Sequence, residues 1–245
     1  MSVTLAFQYA ALIVSAIFAL LRLPLALKGR NPMLFWALAL AAIGVGLSIP
    51  AIYLPVDALL GGVNYANLIL RFAVYGVVLL IGSISAAAFR SVQARRLILG
   101  RAGLVVLAVA VFVTTVLFFI SDVPVSSPGL HGYPDEYTVH VYGVVGRIYP
   151  AYVAACLIAP AFRAAAHARR PVLLRLGSGL IGIALTEVVI WSILGATRLP
   201  IGVWDYILPH SAVIVLVAGL GAVAFYGIAL KQREKQSLLT SGYIR

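Results

Sequence analysis

Charge is scarce in this chain, and negative charge scarcer still. Charged residues make up 10% of its 245 positions, with 7 Asp and Glu against 18 Lys and Arg. A soluble domain carries about a quarter charged residues, so a soluble fold is excluded. The single cysteine, Cys156, excludes an internal disulfide and a thiolate metal cluster, and reads as a small core residue. Lysine is confined to Lys28, Lys231 and Lys235, at the borders of apolar runs, which excludes a mid-helix Schiff base of the retinal kind. There is no Walker loop, no HExxH zinc pair and no Gly-x-Ser-x-Gly elbow. Asp57, Asp135 and Asp205 are scattered and form no carboxylate dyad, and no catalytic residue is nominated. No internal repeat is evident. The first apolar run lacks a basic segment before it, so it reads as a retained helix and not a cleaved signal.

What the chain does have is hydrocarbon: 63% of its residues are hydrophobic. Seven stretches, Val3–Leu25, Met33–Tyr53, Asn64–Phe89, Ala102–Ile120, Tyr137–Phe162, Leu173–Thr197 and Tyr206–Leu230, are each long enough to cross roughly 30 Å of hydrocarbon. The expected fold is all-α: a polytopic membrane protein, one bundle of seven transmembrane helices over residues 1–230, then a short polar tail over 231–245. The net charge of +11 is not spread evenly. All but three of the basic residues fall on one side: Arg22, Lys28 and Arg30; Arg90, Arg95, Arg96 and Arg101; Arg163, Arg169, Arg170 and Arg175; Lys231, Arg233, Lys235 and Arg245. The other side has Arg198 and five acids, Asp57, Asp122, Asp135, Glu136 and Asp205. The positive-inside rule then places the N-terminus outside and the C-terminus in the cytoplasm of an inner (plasma) membrane. The basicity reads as topology and contact with membrane lipids, and nucleic acid is not an expected partner.

The two remaining basic residues, Arg71 and Arg147, lie inside apolar runs, as does Glu187. Such charges are costly in a bilayer and need a reason. Helical spacing puts Asn64, Asn67, Arg71 and Tyr75 on one face of the third helix. It likewise groups Glu136, His140, Gly143 and Arg147 on the fifth, and Glu187, Trp191, Leu194 and Arg198 on the sixth. The seventh opens with Trp204, Asp205, Tyr206, Pro209 and His210. At 1.5 Å per residue, Arg71, Arg147, Glu187 and His210 are all expected within about three turns of the outer surface. Two readings stand side by side. In one the charges are structural ion pairs, with Arg147–Glu187 the natural pair. In the other they line a water-accessible cavity, where two guanidinium groups favour an anionic or carboxylate-bearing ligand. The candidate ligand-binding residues are Arg71, Arg147, Glu187, Asn67, Tyr75, His140, His210 and Trp191.

His140 and His210 could together bracket a haem, act as pH-sensitive partners of Glu136 and Asp205, or serve as ordinary interfacial hydrogen-bonding groups. No other cofactor and no metal site is indicated; His131 and His167 have no metal-site spacing. Pro50, Pro150 and Pro160 are expected to kink helices two and five. Ser178 and Gly182, and Ala218 and Ala222, allow close helix approach, within the bundle or at a homo-oligomer face. The loop Ser121–Asp135, rich in Pro and Gly, is either a cap over the cavity or a connector.

Asn31-Pro32 before an Ala/Leu-rich helix, Pro50-Ala-Ile-Tyr53, the run Val56 to Asn64, and Val172 to Leu180 together resemble a group of actinobacterial seven-helix membrane proteins. Members of that group are described as transporters without an established substrate. Its longer members carry a cytoplasmic region after the seventh helix, which this sequence does not contain. The resemblance implies a transport role but names no residue for it. The expected function is therefore binding of a small, anionic molecule from the outer side, for transport or sensing. A non-catalytic subunit that anchors or stabilises a protein partner is the alternative.

Overall fold

The computed structural model describes residues 2–197, 199 and 202–242, with side chains as far as Leu230 except at position 228. Among the described residues all regular structure is helical. The Ala-, Leu- and Val-rich runs become α1 (Val3–Leu27), α2 (Pro32–Gly46), α3 (Pro50–Leu59), α4 (Tyr65–Ala88), α5 (Val92–Leu99), α6 (Arg101–Ile120), α7 (Tyr137–Ala166), α8 (Val172–Ala196) and α9 (Trp204–Gly242). In a bilayer only a helix satisfies every backbone polar group within its own segment, which is why apolar runs of this length fold this way. Six described helical stretches are long and apolar enough to cross a membrane, α5 and α6 counting as one. The chain is thus a multi-pass membrane protein.

The second expected span, Met33–Tyr53, is corrected in form. It is two helices, α2 and α3, meeting at 93°. Pro50 sits at the first position of α3, and Ile49 before it is extended, with φ −92° and ψ 121°. A proline lacks the N–H that would continue α2 and pushes its predecessor out of the helical region, so a break replaces the expected kink. At the other end of the chain, α9 continues past Leu230 as helix to Gly242, where a short tail was expected.

The helices form a closed circuit: α1 on α2, α2 on α4, α4 on α7, α7 on α8, α8 on α9, and α9 back on α1. The α6 helix lies outside this circuit against α7, and α5 wedges between α4, α6 and α7. On α6, Val105, Val109, Phe112 and Phe119 are exposed, as suits a helix that meets lipid. A core of Leu38, Tyr75, Ile81, Tyr149, Val153, Leu157, Ile181, Leu185 and Val217 fills the middle. The seam between α8 and α9 is tight on both sides: a Cβ on Gly177 would lie 2.9 Å from the Gly219 carbonyl oxygen, and one on Gly219 the same distance from that of Gly177. Of the small-residue pairs read from sequence, Ser178 and Gly182 are buried, Gly182 against the Phe162 ring of α7, whereas Ala218 is exposed.

Alternation of direction gives the bundle two chemically different ends. The basic end holds the α4–α5 and α7–α8 connections, with Arg90, Arg95, Arg96, Arg169 and Arg170. The acidic end holds Asp57, Asp122, Asp135, Glu136 and Asp205.

Candidate functional site

The acidic end is organised around two buried residues ahead of and at the start of α4. Asn64 adopts a left-handed conformation, φ 65°, as the residue capping α4, so it lies off the helical face on which it was expected. Its side chain accepts from the Tyr53 hydroxyl at 2.9 Å and the Ser127 N–H at 2.7 Å, and donates to the carbonyls of Val123 and Val125, both at 2.9 Å. Asp57, fully buried, accepts from the backbone N–H of Asn64 and Ala66 at 2.9 Å and from the Ser126 hydroxyl. These bonds tie the loop Ser121–Asp135 to α3 and α4. Farther along the loop, His131 stacks on Tyr206 of α9, with centroids 5.0 Å apart. The loop therefore crosses the end of the bundle. The pKa of His131 lies below the ordinary histidine value, first through desolvation, with Asp205 opposing and Arg147 and Arg71 adding to the fall.

Where the loop rejoins the bundle it forms one wall of a cleft of about 530 Å³, lined by Pro134, Asp135, Glu136, Tyr137, His140, Arg147, Leu194, Gly195, Leu199 and Asp205. That volume falls in the range of small-molecule sites, roughly 300–1,000 Å³. The expected face of the fifth helix, with Glu136, His140 and Arg147, lines it. Arg147 lies at its floor. Nη2 of Arg147 donates to Asp205 Oδ1 at 2.9 Å, and the guanidinium lies 4.1 Å from the centre of the Trp191 ring. The Trp191 indole N–H donates to the same oxygen at 2.8 Å. Gly195 makes the arrangement sterically possible, since a Cβ there would fall 1.2 Å from Arg147 Nη1. The side chains of the pair are 14% and 25% exposed, and Arg147 Nε is buried with no hydrogen-bond partner.

Arg71 occupies a different seam, between α4 and α7. Its guanidinium sits 5.1 Å from the Tyr142 ring centre, against Gly146, where a Cβ would lie 2.8 Å from Nη1. No carboxylate among the described residues pairs with it, and its Nε is buried without a partner. Asn67 supports the same group by accepting from the Tyr142 hydroxyl at 2.7 Å. Tyr75 turns away, bonding Thr114 of α6 at 2.8 Å and stacking edge-on against Tyr149.

Glu187 does not pair with Arg147. It accepts from the Ser211 hydroxyl of α9 at 3.0 Å, and Asp205 takes the role expected of it. Glu187 lies about two turns nearer the basic end than Gly195, beyond the reach of a guanidinium directed at Asp205. His210 is buried, with Nε2 2.9 Å from the Ser48 hydroxyl at the α2–α3 break and Nδ1 2.6 Å from the Tyr206 carbonyl. Both ring nitrogens are engaged, so an axial-ligand role for His210 requires it to release one of them. His140 lines the cleft. Arg198 lies outside the described residues. Among the described residues no cluster of three or more His, Cys, Asp or Glu is placed to hold a metal ion.

Arg147, Trp191 and His140 were legible from spacing, whereas Asp205 was expected beside a histidine and not Arg147, and Gly195, Tyr142, Asp57 and Tyr53 had no expected role. One available signal was that Gly195 lies four positions after Trp191, hence on its face. No family model, curated protein or solved structure matches this chain.

Proposed function

We propose that this multi-pass protein resides in the plasma membrane with its basic end in the cytoplasm. In the cleft at its acidic end it binds a small molecule carrying a carboxylate or comparable anionic group, as a transporter or a sensor. The observation that carries this reading is the state of Arg147. A guanidinium has five N–H donors, and Asp205 accepts one of them, from Nη2, at 2.9 Å. Donors left unmet in a partly desolvated cleft favour an acceptor arriving from solution, and a planar carboxylate matches the guanidinium fork. The stacked indole and the Gly195 cradle fix the group in place, so little ordering is left for a ligand to supply. The packed apolar core beyond Arg147 supports entry from the acidic end.

The experiment is a thermal-stability screen of the purified full chain against small carboxylates, run beside Arg147→Gln. Carboxylates that stabilise the wild type and leave the variant unmoved are the expected result. Stabilisation by none of them, or equal stabilisation of both proteins, overturns the reading. A stoichiometric protein that co-purifies from its native membrane, with no such ligand found, would favour the anchoring alternative.

A further inference from the structure

Among its described lining residues the cleft carries more negative than positive charge. Among its described lining residues Arg147 is the one permanent cation, and it faces three carboxylates, Asp135, Glu136 and Asp205. Asp205 is spent on Arg147 and Trp191. Asp135 and Glu136 lie at the opposite end of the cavity, where the loop enters α7. A ligand that was only an anion would meet one favourable group at the floor and two unfavourable ones at the mouth.

The spacing can be sized. Glu136 and Arg147 are about three turns apart on α7, or roughly 16 Å along its axis. The Arg147 side chain extends toward the acidic end, because it reaches Gly195 and Asp205, at the acidic ends of α8 and α9. Side chains on a helix lean toward its N-terminus, which for α7 is that same end. An extended arginine covers about 6 Å, which leaves roughly 10 Å between the guanidinium and the level of Glu136. An extended chain spans about 3.3–3.6 Å per residue, so two to three residues match this distance. The lining also includes Tyr137, Leu194 and Leu199, which give side chains an apolar surface to meet.

Resting on the carboxylate reading above, we infer that the ligand is a zwitterion the length of a di- or tripeptide, its carboxylate on Arg147 and its ammonium between Asp135 and Glu136.

The test is isothermal titration of the full chain in detergent with three probes: trialanine, N-acetyl-trialanine and trialanine amide. Trialanine is expected to bind at least about tenfold more tightly than either blocked form, the equivalent of about 1.4 kcal/mol. A chain carrying Asp135→Asn with Glu136→Gln is expected to lose that preference over the acetylated peptide while binding the acetylated peptide no less well. If N-acetyl-trialanine binds as tightly as trialanine, the zwitterion inference fails and the carboxylate reading stands. If trialanine amide binds as tightly as trialanine, the carboxylate reading itself fails. Binding by none of the three, alongside a carboxylate hit dependent on Arg147, overturns the peptide-length zwitterion alone.

Discussion

Arg147 on α7 and Asp205 in the first turn of α9 share a 2.9 Å ion pair that Trp191 completes from α8. Three consecutive helices therefore meet at one carboxylate oxygen. Removing either partner strands the other charge, whereas removing both does not. For Arg147→Gln, Asp205→Asn and the double variant, the expected coupling is about 1–3 kcal/mol, between the values for exposed and for buried pairs. The same cycle between Arg147 and Glu187 is expected to give coupling near zero. Detergent-solubilised unfolding measured for each protein checks both.

Glycine substitutions along α7 and α8 separate crowding from helix propensity. Gly195→Ala forces Arg147 Nη1 out of space it now occupies, and Gly146→Ala presses on the Arg71 guanidinium. Nothing lies within 4 Å of the Cβ position at Gly143. Gly143→Ala is expected to be neutral or to stabilise by up to about 1 kcal/mol, the propensity difference alone. Gly195→Ala is expected to lower the melting temperature and to shift the fluorescence that Trp191 contributes. A comparison of the three variants by thermal unfolding and emission spectra decides the matter.

Arg71 and Arg147 should respond differently to a neutral, unbranched replacement. Arg71 has no carboxylate partner among the described residues and an unmet buried Nε. Arg71→Met exchanges a cation–π contact worth about 0.5–2 kcal/mol for relief of an unsatisfied donor costing about 1–3 kcal/mol. The expected outcome is unchanged or raised stability. Arg147→Met leaves Asp205 unpaired and is expected to destabilise by about 1–3 kcal/mol. Paired melting curves test this asymmetry.

The loop over the acidic end depends on Asp57. Its two oxygens accept two backbone N–H groups and the Ser126 hydroxyl. In Asp57→Asn one oxygen becomes a donor facing donors, at a cost of about 1–3 kcal/mol. Faster proteolytic cleavage within residues 121–135 is expected, together with a lower melting temperature. Cleavage at the wild-type rate would show that Asn64 alone suffices to hold the loop.

Hydropathy was enough to place the spans, because span length is set by the bilayer and recorded in uninterrupted apolar runs. The α2–α3 break was half legible: Pro50 marked the position, but neither the 93° angle nor the Ser48–His210 bond that joins the break to α9 is recorded locally. The cleft was legible where it lies on one helix, in the Glu136–His140–Arg147 spacing. It was illegible where it lies between helices. Nothing local distinguishes Asp205 from Glu187 as the partner of Arg147. Relative depth and the missing Cβ of Gly195 decide that pairing, and both are properties of the packed bundle. Asn64 was misplaced for a similar reason: its left-handed backbone takes it off the helical face and turns it into a tether for the loop.

The most direct measurement concerns water. In a Cys156→Ser background, Leu194→Cys puts a thiol in the cleft wall. A membrane-impermeant thiol reagent added to intact cells is expected to label it, and to label it more slowly once a carboxylate ligand is bound. A thiol that stays unlabelled from outside while reacting fully after denaturation would mean that no solvated, outward-open cleft lies over Arg147.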